Sequence, residues 1–342
     1  MVLFKILLSC ILYTKGGISI RKILSLIILS FLICAFNLDI NASTFEKTII
    51  IGGESIGLEL NSKVHIIGFY EVETDNKKVS PWENSNILEG DIIISIDNQK
   101  VESNADIANL IKNKDKVRLK LLRDGENYIK TDIKVVKNKN GKESIGLYVK
   151  DKILGVGTMT YIDPETQTYG ALGHSVANGE DQGQLLLSTI KSIRKASPGV
   201  PGEKYAVLST APIGTITKNT EIGIFGKINN VRRGSHMKVQ EAKNVRPGKA
   251  QLLTVVHGDS KEFFDIEIIE VRNQKTCATK GIKLKITDTE LLSETGGIIQ
   301  GMSGSPIIQD GYLVGALSHV VISSPQIGYG VFAQWMIEEG CS

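Results

Sequence analysis

The stretch Thr295-Gly-Gly-Ile-Ile-Gln-Gly-Met-Ser-Gly-Ser-Pro306 is the one on which the reading of the chain turns. Its four glycines allow positive φ and close backbone approach, and Pro306 fixes the exit. An apolar pair follows, Ile307-Ile308, then a Gln-Asp-Gly turn ending at Gly311 and the apolar run Tyr312-Leu-Val-Gly-Ala-Leu. Asp-Gly between apolar segments predicts a β-hairpin. Ser303 therefore stands on a tight loop leading into a hairpin, where the N–H groups of Gly301, Met302 and Ser303 can converge as an oxyanion hole. The α/β-hydrolase elbow is excluded, because G-x-S-x-G would need glycine where Ser305 stands. A Gly/Ser turn carrying an inert serine is the plainer alternative.

A serine hydroxyl needs a base to take its proton. The candidates are His65, His174, His236, His257 and His319. His174 is best placed, following Gly173 on a tight turn after the strand-like Tyr169-Gly-Ala-Leu. His257 reads as a strand-end residue, His236 lies in a basic loop, and His319 is placed to line a substrate pocket. Between residues 144 and 342 many short β segments are separated by Gly and Asx turns. That pattern predicts an all-β barrel or sandwich.

Residues 50–136 form a separate β-rich module. Leu88-Glu-Gly-Asp-Ile-Ile-Ile-Ser-Ile-Asp-Asn-Gln99 turns into a strand, and a helix with Asn104 as its cap follows, carrying Ile107, Leu110 and Ile111 at helical spacing. This order resembles a PDZ domain, a family that adds a peptide strand to a sheet edge and grips its carboxylate with backbone amides. Ile56, Gly57 and Leu58 are the candidates for that carboxylate loop. Lys137-Asn-Lys-Asn-Gly-Lys142 reads as a polar linker.

Upstream, residues 1–22 are a cytoplasmic N-terminal segment and 23–40 a signal or anchor segment. The apolar core, Ile23 to Leu38, is short for a membrane span. Lys5, Lys15, Arg21 and Lys22 all precede the first acidic residue, which keeps this end in the cytoplasm and delivers the body across the membrane. The whole chain has 40 basic and 37 acidic residues, a net charge of +3; without those four it has 36 basic, a net charge of −1. A nucleic-acid role is excluded on that balance. The four cysteines form no C-x-x-C, and no cluster has metal-ligand spacing, so no metal or cofactor is expected.

Gly-Ala-Leu-Gly-His174 and Gly-Gly-Ile-Ile-Gln-Gly-Met-Ser303-Gly-Ser-Pro together resemble the peptidase domain of the stage IV sporulation protein B family. So do Gly155-Val-Gly-Thr-Met-Thr-Tyr-Ile-Asp-Pro164, Phe264-Asp-Ile-Glu-Ile-Ile269 and Tyr329-Gly-Val-Phe-Ala-Gln-Trp-Met336. The resemblance implies a mainly β fold: a chymotrypsin-like double β-barrel at 144–342, preceded by the PDZ domain. It also implies a sporulation endopeptidase that crosses the forespore membrane. There it cleaves itself and a membrane-anchored regulator of a sigma-factor-processing protease. His174 would be the base, Ser303 the nucleophile and Asp288 the third member. Asp288 also reads as a helix N-cap, or Thr287 and Glu290 as a capping box, with Asp265 and Asp259 as alternative acids. Met302 stands where digestive relatives carry aspartate, so an N-terminal ion pair cannot activate this enzyme, and docking of a chain end on the PDZ domain is the natural substitute. A quality-control protease of the high-temperature-requirement type is disfavoured because there the PDZ follows the protease. The remaining alternative is a PDZ scaffold with an inactive barrel.

Overall fold

The computed structural model describes residues 45–177, 179–230 and 234–341. The N-terminal segment, Cys10 and Cys34 lie outside them. Among the described residues no helix is long and apolar enough to cross a membrane, and Cys277 and Cys341 are exposed free thiols.

Six strands close the first barrel: β1 (Ser55–Phe69), β2 (Leu147–Asp163), β3 (Thr168–Ala171), β4 (Gly183–Arg194), β5 (Glu203–Thr220) and β6 (Gly223–Ile228). β1 pairs with β2 from Ser55↔Thr158 to Leu60↔Ile153. β2 pairs with β3, β3 with β6, β6 with β5 and β5 with β4. The pairing of β4 with β1, Gly183↔Leu60 to Leu187↔Ile56, returns to the start. Its core holds Ile56, Leu58, Leu60, Tyr169, Leu185, Ile216 and Ile224. The second barrel is closed by β7 (Gly248–Val255), β8 (Lys261–Val271), β9 (Ile282–Ile286), β10 (Pro306–Gln309), β11 (Tyr312–Val320) and β12 (Ile327–Phe332). β8 alternates buried Phe264, Ile266 and Ile268 with exposed residues, as a barrel wall must. The Gln309–Gly311 turn forms the predicted hairpin, with Gln309 opposite Tyr312. Closing both sheets removes the free edges an all-β chain otherwise exposes. This is the chymotrypsin-like double barrel that the sequence resemblance implied.

The PDZ domain does not simply precede the barrels. β1 and β2 are long strands of 15 and 17 residues. Their outer halves pair again beyond the barrel, Lys150↔His65 to Leu147↔Phe69, and there they form part of the PDZ sheet with Ile92–Ile96, Lys116–Arg123 and Asn127–Lys134. The module is thus inserted between the first two barrel strands. Three sequence expectations are corrected here. Ile56, Gly57 and Leu58 lie in the barrel, buried and paired with both β2 and β4, and so cannot form a PDZ carboxylate loop. Residues 50–60 belong to the peptidase, and the expected linker at 137–142 is a short hairpin, Val136–Lys137 against Glu143–Ser144.

Within the module, helix α1 (Asn104–Leu110) is capped by Ser103 rather than Asn104. The Asp106 amide donates to Ser103 Oγ at 3.2 Å, and Ser103 N donates to Asp106 Oδ2 at 2.9 Å, a capping box. The Leu-Glu-Gly-Asp signature has a physical reason in Asp91. Its buried carboxylate accepts from Leu88 N at 2.9 Å and from Arg123 Nε and Nη2 at 2.7 and 2.8 Å. Burial opposes the charge, but the guanidinium and the amide outweigh it and hold the carboxyl below its usual range. Asp91→Ala takes the acceptor from both the Leu88 amide and the Arg123 guanidinium and is expected to destabilise the module, read as a lower urea unfolding midpoint.

Candidate active site

Leu172 and Gly173, at φ 66° and 69°, end β3 in two successive left-handed residues and throw His174 toward the second barrel. Left-handed backbone at leucine is strained and is found where a function holds it. A Cβ at Gly173 would press on Val331, Leu317 and Ser318, so only glycine lets this turn lie against β11 and β12. His174 is half-buried. Its Nδ1 faces the Ser175 carbonyl at 2.7 Å. A carbonyl only accepts, so Nδ1 carries the proton and Nε2 keeps a lone pair. Burial lowers the imidazole pKa, with the Ser175 carbonyl opposing, so the ring is neutral at pH 7. It has the protonation state of a base.

Ser303 arrives from the other barrel. Helix α2 (Thr289–Thr295) ends on Gly296 at φ 71°, and the chain enters the glycine-rich loop. Gly304 lies so close to β2 that a Cβ would collide with the Thr158 carbonyl and the Leu172 amide. Two buried threonines on β2 hold the loop there. Thr158 Oγ1 donates to the Gly301 carbonyl at 2.9 Å and Thr160 Oγ1 to the Gly304 carbonyl at 2.8 Å, while Thr158 N donates to the Ser303 carbonyl at 2.8 Å. Sequence reading missed these two residues. Alternation along a strand marks which positions face inward, but not which inward position meets another barrel. The outcome is a cleft of about 680 Å³ lined by His174 and Ser303 together with Leu58, Leu172, Lys204 and Gly301.

Of the three expected oxyanion donors, the structure leaves two. Met302 N donates to the Ile299 carbonyl at 3.1 Å within the turn, and the Met302 side chain is fully buried. The amides of Gly301 and Ser303 have no acceptor among the described residues and remain for an oxyanion. Ser303 Oγ donates to the Ser318 carbonyl at 3.1 Å, so the hydroxyl is parked away from the base. His319 completes the neighbourhood. Its ring lies 5.4 Å from that of His174, its Nδ1 meets Ser318 Oγ at 3.0 Å, and Ser318 Oγ donates to the Tyr329 carbonyl at 2.9 Å. The Ser318 hydroxyl proton is thereby committed, so His319 Nδ1 is the donor of that pair, and burial lowers the pKa of its ring.

Asp288 is not brought to His174. It is the N-cap of α2: Oδ1 accepts from Leu291 N at 2.9 Å and Oδ2 from Asp265 N at 3.2 Å. Its oxygens thus serve one backbone amide of α2 and one of β8, and in this structure Asp288 acts as a cap and makes no hydrogen bond to His174. Neither Asp265 nor Asp259 lines the cleft. Among the described residues no carboxylate is hydrogen-bonded to His174; Glu221 lines a smaller hollow of about 270 Å³ beside His174 and His319. Asp288→Ala is expected to cost about 1 kcal/mol and Asp288→Asn less, measured by thermal melting, because asparagine can still cap. The other histidines are elsewhere: His65 in the PDZ sheet, His236 paired with Ile50, and His257 beside Glu294 at 3.3 Å on the surface. Among the described residues no group of three acidic, His or Cys side chains can hold a metal.

No curated protein matches this chain. Among solved structures it is similar to the Rv3671c protease from M. tuberculosis. The active form aligns with 14% identity and a TM-score of 0.35, over 54% of this chain and 72% of that one. The inactive form aligns with 15% identity and a TM-score of 0.34, over 54% and 81%. The PDZ family profile matches residues 59–135, the inserted module. The profile of the SpoIVB peptidase S55 family matches residues 141–337, more than half of the chain, and the protein therefore belongs to that family of serine endopeptidases.

Proposed function

We propose that this peptidase uses Ser303 as nucleophile, His174 as general base and the amides of Gly301 and Ser303 as oxyanion hole. The observation that carries the reading is the shared cleft: separate barrels deliver a serine and a neutral histidine with an open Nε2 to its walls. A rotation about χ1 releases the Ser303 hydroxyl from the Ser318 carbonyl toward Nε2. The oxygen then attacks the scissile carbonyl, its proton passes to Nε2, and the two amides receive the negative charge of the tetrahedral intermediate. His174 returns the proton to the leaving amine, and water later resolves the acyl-enzyme by the same route.

The wider role we infer is that of a sporulation endopeptidase acting outside the cytoplasm on itself and on a membrane-associated regulator. Family membership and the one-sided charge around Ile23 to Leu38 support it. A reporter fused after Ser342 is expected to behave as exported; cytoplasmic reporter activity overturns the topology. We place self-cleavage between the anchor segment and the PDZ core, within residues 40–63. Strands Thr48–Ile51 and β1 are integral to the fold, so the accessible part of that window ends at Lys47. Incubating purified full-length wild-type and Ser303→Ala protein, then reading N-termini by mass spectrometry, tests both points. New N-termini before Thr48 in the wild type alone support the proposal, and equal cutting of both proteins sinks it.

A further inference from the structure

One buried ionisable group at the cleft has no part in the chemistry above. Lys204 opens β5, is 3% exposed and forms no ion pair among the described residues. Its backbone N donates to the Gln300 carbonyl at 3.0 Å, and Gln300 N donates to the Gly202 carbonyl at 2.9 Å. The turn before Ser303 is therefore stitched onto the first barrel at this residue. Its side chain runs beneath Gly301. A Cβ at Gly301, where φ is 95°, would lie 3.0 Å from Lys204 Cδ, 3.1 Å from Cβ and 3.2 Å from Cγ. The amine then crosses to the second barrel, where Nζ donates to Thr254 Oγ1 at 3.0 Å.

We propose that Lys204 is the positioning residue of the oxyanion turn: its stem supports Gly301 from below, and only the uncharged amine leaves the Gly301 and Ser303 amides aimed into the cleft. The proposal rests on the catalytic reading of Ser303 given above. An ammonium has three protons to place, and the site supplies one acceptor, the Thr254 hydroxyl. A charged Lys204 must therefore seek water through the cleft, drawing its stem from under Gly301. The surroundings offer no compensating charge. Glu203 is turned aside to Arg194 at 3.2 Å, Glu262 opposite Thr254 is exposed, residues 298–303 carry no ionisable side chain, and across the cleft stands His174. Burial alone lowers the Lys204 pKa to about 7, so the change of state falls in the working range of such an enzyme.

The test uses the full chain and a fluorophosphonate, following the second-order rate of Ser303 phosphonylation from pH 5 to 9. The wild type is expected to show two breaks on the acid side, the upper one near pH 7 from Lys204 and a lower one from His174. Lys204→Met keeps the stem and cannot ionise; it is expected to lose the upper break and keep the lower. Lys204→Ala removes the stem and is expected to react about 100-fold more slowly at pH 8, the cost of misplacing a catalytic group by about an ångström. Methionine is expected to recover most of that loss. An upper break that persists in Lys204→Met, or an alanine variant as fast as the wild type at pH 8, overturns the role of Lys204. Circular dichroism checks that each variant is folded, and the methionine profile decides the matter even if the alanine variant is not. Ser303→Ala separates the two levels: labelling that survives it overturns the nucleophile assignment itself.

Discussion

Ser303→Ala and His174→Ala each lose peptide cleavage by about 10⁴-fold or more, and the double variant is scarcely worse than either. These are the expected results if the two residues act as one unit. Without the serine oxygen there is nothing for His174 to deprotonate. Without the imidazole the hydroxyl stays protonated, held by the Ser318 carbonyl. Each side chain is half-buried at the rim of its barrel rather than in a core, so both variants are expected to melt near the wild type. The measurement is cleavage of an unfolded protein substrate followed by mass spectrometry, with thermal melting alongside. Activity within about tenfold of wild type in either single variant would remove that residue from the mechanism. Loss in Ser305→Ala alone would not move the nucleophile to Ser305: it is fully buried, and its hydroxyl donates to the Met302 carbonyl at 2.6 Å as part of the turn.

The second large effect is on stability. Lys204 is ionised at pH 6 in both folded and unfolded chains, but the folded site offers that charge no carboxylate, so placing it costs free energy whether it stays or reaches for water. Its folded pKa, about 7, lies below the ordinary 10.5. Between those values the unfolded chain binds more protons, so this contribution to stability rises with pH. The penalty is complete below about pH 7, shrinks as pH climbs from 7 toward 10.5, and is absent above 10.5. At pH 6 it is on the order of 5 kcal/mol, since the fall from 10.5 to about 7 costs about 1.36 kcal/mol for each tenfold change in the proton equilibrium. Lys204→Met is therefore expected to be more stable than the wild type at pH 6, with the margin narrowing steadily to pH 10. Urea unfolding at pH 6, 8 and 10 reads it directly. A methionine variant that is less stable at pH 6 would show that the amine is well solvated in the folded protein. A residue that destabilises the fold and lies under the oxyanion turn fits the general trade between stability and activity.

The PDZ sheet and the first barrel share two strands. β1 and β2 extend from the PDZ sheet to the cleft, with register shifts at Tyr148/Val149 and Lys150/Lys152 between the two parts; Leu58 of one and Leu154 of the other line the cleft. The buried Met302 leaves no carboxylate for an N-terminal ion pair.

Much of this was legible in local sequence, and the reason is that local patterns report local physics. The glycines around Ser303, the Asp-Gly hairpin and the Gly-His turn each describe a few consecutive residues. Their backbone demands can be met only by those residue types. The PDZ signature was readable for the same reason: Asp91 turns back on Leu88 three residues away. What the sequence could not decide is every relation between segments far apart along the chain. Ile56-Gly-Leu58 reads equally well as a PDZ loop or a barrel strand, since both are short, apolar and glycine-bearing; only pairing with Leu185 and Val156 settles it. Asp288 satisfies a triad spacing and a cap at once, and the fold chose the cap because α2 starts there and offers unpaired amides. Lys204, Thr158 and Thr160 carry no local signal. They matter because two closed barrels meet at the active site, and a lysine or threonine facing inward at that seam is buried by a partner more than 40 residues away.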